Sequence, residues 1–152
     1  MIEKLVAGGQ TGADRAALDV AIEMGLPHGG WVPKGRLAED GPVPDKYHLQ
    51  EMRTTSYPKR TEQNILDSDG TLIVSHGKLT GGSQLTMSMA YKHNKPWIHV
   101  DLKIMAYPDA VVTIRDWIDR EMVKVLNVAG PRASKDPQIY QGVKELLEKT
   151  LA

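Results

Sequence analysis

The sequence predicts a single-domain α/β protein, a three-layer Rossmann-like fold with a mostly parallel sheet and helices on both faces. Strand-like and helix-like segments alternate along the whole chain, and the strand-like segments are near-continuous apolar runs, as expected of strands covered on both faces. The length of 152 residues corresponds to one domain spanning residues 1–152, large enough to bury a core without disulfide or metal staples. A composition of 41% hydrophobic and 25% charged residues excludes the disordered, collagen-like and membrane classes.

Residues 3–7 form a short apolar run that ends at Gly8-Gly9. Ala13, Ala16, Ala17, Val20, Ala21 and Met24 then recur at helical spacing, so strand, glycine turn and amphipathic helix follow one another. Thr11 three residues before Asp14 reads as a capping box, and Gly25 as a left-handed stop, which bounds the helix near residues 12–24. Trp31-Val32 reads as a second strand of the sheet. Residues 33–57 carry Pro33, Gly35, Gly41, Pro42 and Pro44 among charges, with little periodicity, and read as a long loop of a functional or mobile kind. Pro58 suits the first position of a helix carrying Ile65 and Leu66.

Gly70-Thr71-Leu72-Ile73-Val74-Ser75 is the clearest buried strand. A helix with Leu85, Met89 and Ala90 follows and stops near Asn94, before Pro96. Trp97-Ile98-His99-Val100 is the next strand, Ala110, Ile114, Trp117 and Ile118 mark a helix, and residues 123–128 form the last strand. Asp136-Pro137 reads as the N-cap and first turn of a final helix with Ile139, Val143, Leu146 and Leu147 on one face. Open parallel sheets bind ligands at the carboxyl ends of their strands, so the segments after Ala7, Val32, Ser75 and Val128 are expected to converge on one site.

Lys and Arg number 19 against 19 Asp and Glu, a formal net charge of 0. Nothing global draws such a chain to nucleic acid or anionic lipid, so a ligand must be held by local groups. The N-terminal apolar stretch is too short for a signal segment, and no run approaches the ~18 apolar residues of a membrane span. The absence of cysteine excludes disulfides and thiolate metal sites. Cytoplasmic residence, with no membrane partner, is the expectation.

Gly8-Gly9-Gln10-Thr11-Gly12 lies between a strand and a helix, where free N–H groups and the positive helix end suit an anion; a tight turn is the alternative. The spacing is not GxGxxG, and no acidic residue ends the second strand, which disfavours NAD and FAD. Thr80-Gly81-Gly82-Ser83 repeats the arrangement at another helix start. The stretch from Gly77 resembles a P-loop, but glycine holds the lysine position, so an ATPase reading fails. Lys34 and Arg36 follow the second strand, Arg60 lies in a helix first turn and Arg132 follows the last strand. Each alone is an ordinary surface charge; as a set they point to an anionic ligand, and Arg60, opposed to its helix dipole, calls for an anion nearby. His28, His48, His76, His93 and His99 show no metal-ligand spacing. Trp31, Trp97 and Trp117 read as core, with Trp31 alone placed to flank a planar ring. No Ser-His-Asp or GxSxG pattern is present. Asp14 is a candidate acid or base, but capping its helix is the better-supported role.

Five motifs in order resemble the molybdenum cofactor carrier proteins: Gly8-Gly9-Gln10-Thr11-Gly12-Ala13-Asp14; Gly30-Trp31-Val32-Pro33-Lys34-Gly35-Arg36 with Glu39-Asp40-Gly41; Arg60-Thr61-Glu62-Gln63-Asn64 leading to Asp67-Ser68-Asp69-Gly70-Thr71-Leu72-Ile73; Thr80-Gly81-Gly82-Ser83; and Asn127-Val128-Ala129-Gly130-Pro131-Arg132. The resemblance covers nearly the whole chain. That family is similar in fold to the Rossmann-like group containing the Lonely Guy, or lysine-decarboxylase-like, nucleoside-monophosphate phosphoribohydrolases. It implies a ligand with a pterin or purine ring and a phosphate, molybdoenzymes as recipients and a homo-oligomer. The hydrolases carry a PGGxGTxxE motif whose glutamate takes part in glycosidic cleavage. Here the glycine pair is kept, but no Asp or Glu lies between Asp69 and Asp101.

The expectation is therefore a binding protein without catalytic residues, holding molybdenum cofactor or a related phosphorylated pterin. Its phosphate would sit on the helix starts at residues 9–12 and 81–83, with Lys34, Arg36, Arg60, Asn64 and Arg132 beside it and loop 33–57 over the ring. Two rivals stand beside it: a phosphoribohydrolase-like enzyme in which Asp14, Glu39 or Asp69 replaces the missing glutamate, and a nucleotide-sensing module.

Overall fold

A computed structural model describes all 152 residues. In chain order the elements are β1 Lys4–Val6, α1 Ala13–Glu23, β2 His28–Gly29, β3 Trp31–Val32, β4 Leu37–Ala38, β5 Gly41–Pro42, β6 Gln50–Glu51, α2 Tyr57–Leu66, β7 Gly70–Ser75, α3 Gly81–Lys92, β8 Trp97–Asp101, α4 Tyr107–Glu121, β9 Val125–Ala129 and α5 Ile139–Leu151. Five strands form one sheet in the order β2-β1-β9-β7-β8. Every neighbouring pair is parallel, with Leu5 opposite Leu126 and Thr71 opposite Asn127. All six residues of β7 are buried, as a strand covered on both faces requires. Helix α1 packs on α5 and α5 on α4, while α2 packs on α3. Twenty-seven buried apolar residues join strands and helices in one cluster. The architecture is the α/β Rossmann-like fold expected, and no helix is long and apolar enough to cross a membrane.

Helix α1 ends as its sequence predicts. Gly25 takes φ 66°, Leu26 N–H donates to Ala21 O at 2.8 Å and Gly25 N–H to Ile22 O at 3.2 Å, the two bonds of a Schellman stop. Its start differs from the capping box. Gly12 is the N-cap and no side chain caps it; the Thr11 hydroxyl accepts from Ala133 N–H and donates to Glu39, and Asp14 Oδ2 accepts from Gln10 N–H. Thr11 takes long-range partners and Asp14 takes the N–H of Gln10, so the local pair does not form. At the other end of the chain, α5 begins at Ile139 rather than at Asp136-Pro137, because Asp136 closes a separate turn in which its Oδ1 accepts from Gln138 N–H.

Two expectations about the second strand and its loop are overturned. The edge strand is β2, whereas Trp31-Val32 leaves the main sheet to pair in parallel with residues 50–51. The break lies at Gly30, where φ is 132° and any Cβ would strike the Ala7 carbonyl. Residues 33–57 are not an open loop. They hold the antiparallel β4–β5 hairpin and β6, gathered around the Arg36 guanidinium. That group donates to the carbonyls of Val43 at 3.1 Å, Pro44 at 2.9 Å, Tyr47 at 3.0 Å and Leu49 at 3.4 Å. Bonds to backbone carbonyls leave no residue-type pattern, which is why this segment reads as irregular.

Candidate functional site

A cavity of about 550 Å³ opens at the carboxyl ends of β7 and β9, beside Gly8 after β1. Such a volume lies within the ordinary range for small-molecule sites. Ser75 and Asn127, at or near the ends of β7 and β9, form its floor. The first turns of α2, the start of α3 and the β9–α5 connection form its walls.

The start of α3 is the part of this cavity most clearly built for an anion. Thr80 occupies the N-cap without a side-chain bond, and its carbonyl takes the N–H groups of Ser83 at 3.2 Å and Gln84 at 3.4 Å. The N–H groups of Gly81 and Gly82 have no acceptor within the protein. Ser83 is 7% exposed, its hydroxyl makes no hydrogen bond, and it lines the cavity. No fully enclosed side-chain polar atom lacks a partner, so that hydroxyl reaches the cavity surface. A Cβ on Gly82 would meet nothing within 4 Å, so this glycine keeps space open in front of the helix rather than room for neighbouring protein atoms.

The glycine turn after β1 is used differently. A Cβ on Gly8 would fall on the Arg60 guanidinium, one on Gly9 would lie 2.8 Å from Val32 Cγ1, and one on Gly12 2.5 Å from the Pro131 carbonyl oxygen. The turn is glycine-rich because the protein packs on itself there. Three of its donors are taken: Ala13 N–H donates to Pro131 O at 3.2 Å, Gln10 N–H to Asp14 Oδ2 at 3.1 Å and Thr11 N–H to Gln10 Oε1 at 3.1 Å. The Asp14 carboxylate stands at this helix start, in the region where the sequence predicts an anion, and Gly9, Thr11 and Gly12 lie outside the cavity lining.

Asp14 is also the anion that the position of Arg60 calls for. Arg60 is 8% exposed, lies 3.8 Å from Asp14 Oδ2, donates to the Gly8 carbonyl and stands 5.6 Å from the centre of the Tyr57 ring. Burial pushes the Asp14 carboxyl above its ordinary range, against the pull of Arg60 and the Gln10 N–H. Of the residues expected from sequence, Gly8, Gln10, Arg60, Asn64, Thr80, Gly82, Ser83 and Arg132 line the cavity. Gly9, Thr11, Gly12, Lys34, Arg36 and Gly81 do not. Arg36 serves the hairpin segment, and Asn64 uses both ends of its amide on the Trp31 backbone, at 2.8 and 3.3 Å. Arg132 Nε lies 3.5 Å from Glu39 Oε2. Glu39 in turn is bonded to Ser134 and Thr11, contacts that hold its carboxyl below the usual range. No residue of 33–56 lines the cavity, so the segment does not form the expected cover.

Several lining residues were not legible as site residues. His76 Nδ1 lies 2.6 Å from Asp136 Oδ2, and Lys78, Lys103 and Lys135 join them. His76 and Lys103 follow strand ends, a signal that the strand-end rule offers; the pairing of His76 with Asp136 spans sixty residues and leaves none. The Ser75 hydroxyl donates to Gly77 O at 2.6 Å, so it accepts from His99 Nε2 at 2.7 Å. Burial lowers the proton affinity of His99, and the pair is a structural contact beneath the floor. Of the three carboxylates named as substitutes for the missing glutamate, Asp14 reaches the cavity. Glu39 faces Ser134, and Asp69 accepts the N–H groups of Lys124 and Val125. No three His, Cys, Asp or Glu side chains come together as metal ligands.

The chain matches the circularly permutated YpsA SLOG family over residues 5–151 and belongs to it. A crystal structure described as a "putative molybdenum carrier protein" from Syntrophus aciditrophicus SB is similar at 59% identity with a TM-score of 0.98, covering 99% of this chain and 96% of that one. No curated protein matches.

Proposed function

We propose that this member of the circularly permutated YpsA SLOG family binds and carries molybdenum cofactor, or a related phosphorylated pterin, for delivery to molybdoenzymes in the cytoplasm. The observation that carries the reading is the start of α3, where the free N–H of Gly82, an unpartnered hydroxyl on Ser83 and the open space before Gly82 lie together at the cavity. Phosphate binding asks for those groups, and Arg132 adds charge from the facing wall. Tyr57 and Leu85, both partly exposed at the cavity, offer apolar surface to a flat ring. The similar protein described as a molybdenum carrier supports a carrier role.

The test is protein purified anaerobically and scanned for pterin absorbance and fluorescence, then titrated with molybdenum cofactor, AMP and GMP. Cofactor should bind to the native chain and be lost from Gly82→Val, whose added side chain enters the space in front of α3. Unchanged binding in a folded Gly82→Val protein rejects this placement, and failure of cofactor to bind the native chain rejects the carrier reading.

One observation favours a second reading, an enzyme acting on nucleoside monophosphates: Asp14, with its raised proton affinity, and the His76–Asp136 pair share the cavity with the proposed anion site. Release of free base from AMP or GMP that falls in Asp14→Asn promotes it; binding without release leaves the carrier reading in place.

A further inference from the structure

We infer that the ligand of this site carries two linked phosphates, the second held by a lysine rim beside the first. The inference rests on the anion site proposed above at the start of α3. Lys78, Lys103 and Lys135 come from three separate connections, β7–α3, β8–α4 and β9–α5, and line the same cavity. Lys135 Nζ lies 2.7 Å from the point where a Cβ on Gly81 would project, so its ammonium stands at the start of α3. Lys103 runs alongside Gly77, its Cδ 3.9 Å from the equivalent point there.

None of the molecule's ion pairs includes any of the three. The carboxylates at hand make their hydrogen bonds to other groups. Asp101 Oδ1 accepts the N–H groups of Gly77 at 2.7 Å and Lys103 at 2.9 Å, and Asp136 divides its oxygens between His76 and Gln138 N–H. Three ammonium groups on one concave surface repel one another, and none is in direct contact with a carboxylate, Asp101 acting on Lys103 only at longer range. One phosphate is accommodated at α3 by Gly81, Gly82 and the unpartnered hydroxyl of Ser83, a residue more than nine-tenths buried. The adjoining lysines supply point charges for another, a role to which a flexible ammonium is suited. Because they line a cavity rather than a convex face, a small polyanion fits them better than an acidic protein surface does.

The test compares orthophosphate with pyrophosphate by calorimetry on the full chain at fixed ionic strength. Pyrophosphate should bind more tightly by at least about tenfold, the equivalent of one charge-assisted contact. In the Lys78→Ala/Lys103→Ala protein, which keeps Lys135 at the start of α3, the advantage should fall to within about threefold, with orthophosphate affinity changed by less than about threefold. The melting temperature should hold, since both side chains are exposed. Among esters, GDP tighter than GMP identifies a terminal diphosphate; a diphosphate-bridged dinucleotide tighter than GDP identifies a bridging one. Pyrophosphate no tighter than orthophosphate, or an advantage that survives loss of the lysines, overturns the inference. If orthophosphate still binds and Gly82→Val removes it, the α3 site stands while this inference falls; no phosphate binding at all rejects both.

Discussion

Replacing Arg60 with methionine tests whether the buried Arg60–Asp14 pair holds the first glycine turn against α2. At 3.8 Å, unit charges attract by about 4 kcal/mol at an effective dielectric of ~20. Removing one partner of a buried pair typically costs ~3–5 kcal/mol, because the other is left buried and uncompensated. The bond from Arg60 to the Gly8 carbonyl is lost as well, while the methionine stem keeps much of the packing. An overall loss of about 4 kcal/mol at pH 7 is expected, a large share of a typical domain stability of ~5–15 kcal/mol. Asp14→Asn alone should also destabilise, and the double variant should be more stable than the sum of the two losses predicts by about 2 kcal/mol.

The pH dependence has a definite sign. The native carboxyl of Asp14 is already raised above its ordinary 3.8, so the folded state binds that proton more readily than the unfolded one, and this group's contribution to stability falls as pH rises through its folded value. Without Arg60 the folded value rises further. The deficit of Arg60→Met should therefore be largest at and above neutral pH and shrink on acidification towards 3.8. Urea unfolding of the native chain, both single variants and the double variant at pH 7 and pH 5 supplies the cycle. Additive losses, or a loss below about 1 kcal/mol for Arg60→Met, would refute a pair that acts as a unit.

Arg36→Ala should cost about 2–4 kcal/mol of stability, since four backbone carbonyls lose a charged donor, yet leave ligand affinity of the folded protein unchanged; calorimetry alongside denaturation separates the two effects. Gly82→Ala should be neutral or stabilising by up to ~1 kcal/mol, whereas Gly12→Ala, at φ 81° and facing the Pro131 carbonyl, should destabilise by more than about 2 kcal/mol; paired melting curves decide. Glu39, held below its ordinary 4.5 by Ser134 and Thr11, stabilises the hairpin contact above that value and loses it as pH falls through its lower folded value, so the acid limb of stability against pH should flatten in Glu39→Gln.

Much of the fold was legible because it rests on local patterning. Apolar runs separated by helical spacing gave the β1–α1 unit, β7, β8, α4 and β9 and with them the parallel sheet. The strand-end rule led to Gly82, Ser83 and Arg132, because those positions depend on chain order alone. What the sequence left undetermined was which groups answer one another across the fold. Gly8-Gly9-Gln10-Thr11-Gly12 and Thr80-Gly81-Gly82-Ser83 are alike as strings. The first has its Gln10 and Ala13 donors met by Asp14 and Pro131 and its space filled by Arg60 and Val32; the second has open space at Gly82 and an unpartnered Ser83 hydroxyl at the cavity. Arg36 and Arg60 are likewise alike as basic residues near element ends, and the structure spends them on backbone carbonyls and on a buried carboxylate. His76 and Asp136, and the three lysines of the rim, meet through connections far apart in the chain. Hydrogen bonds and ion pairs are set by distance and orientation in three dimensions, and a linear pattern of residue types carries neither, whereas burial of apolar faces repeats with the period of the helix or strand and so is written into the sequence itself.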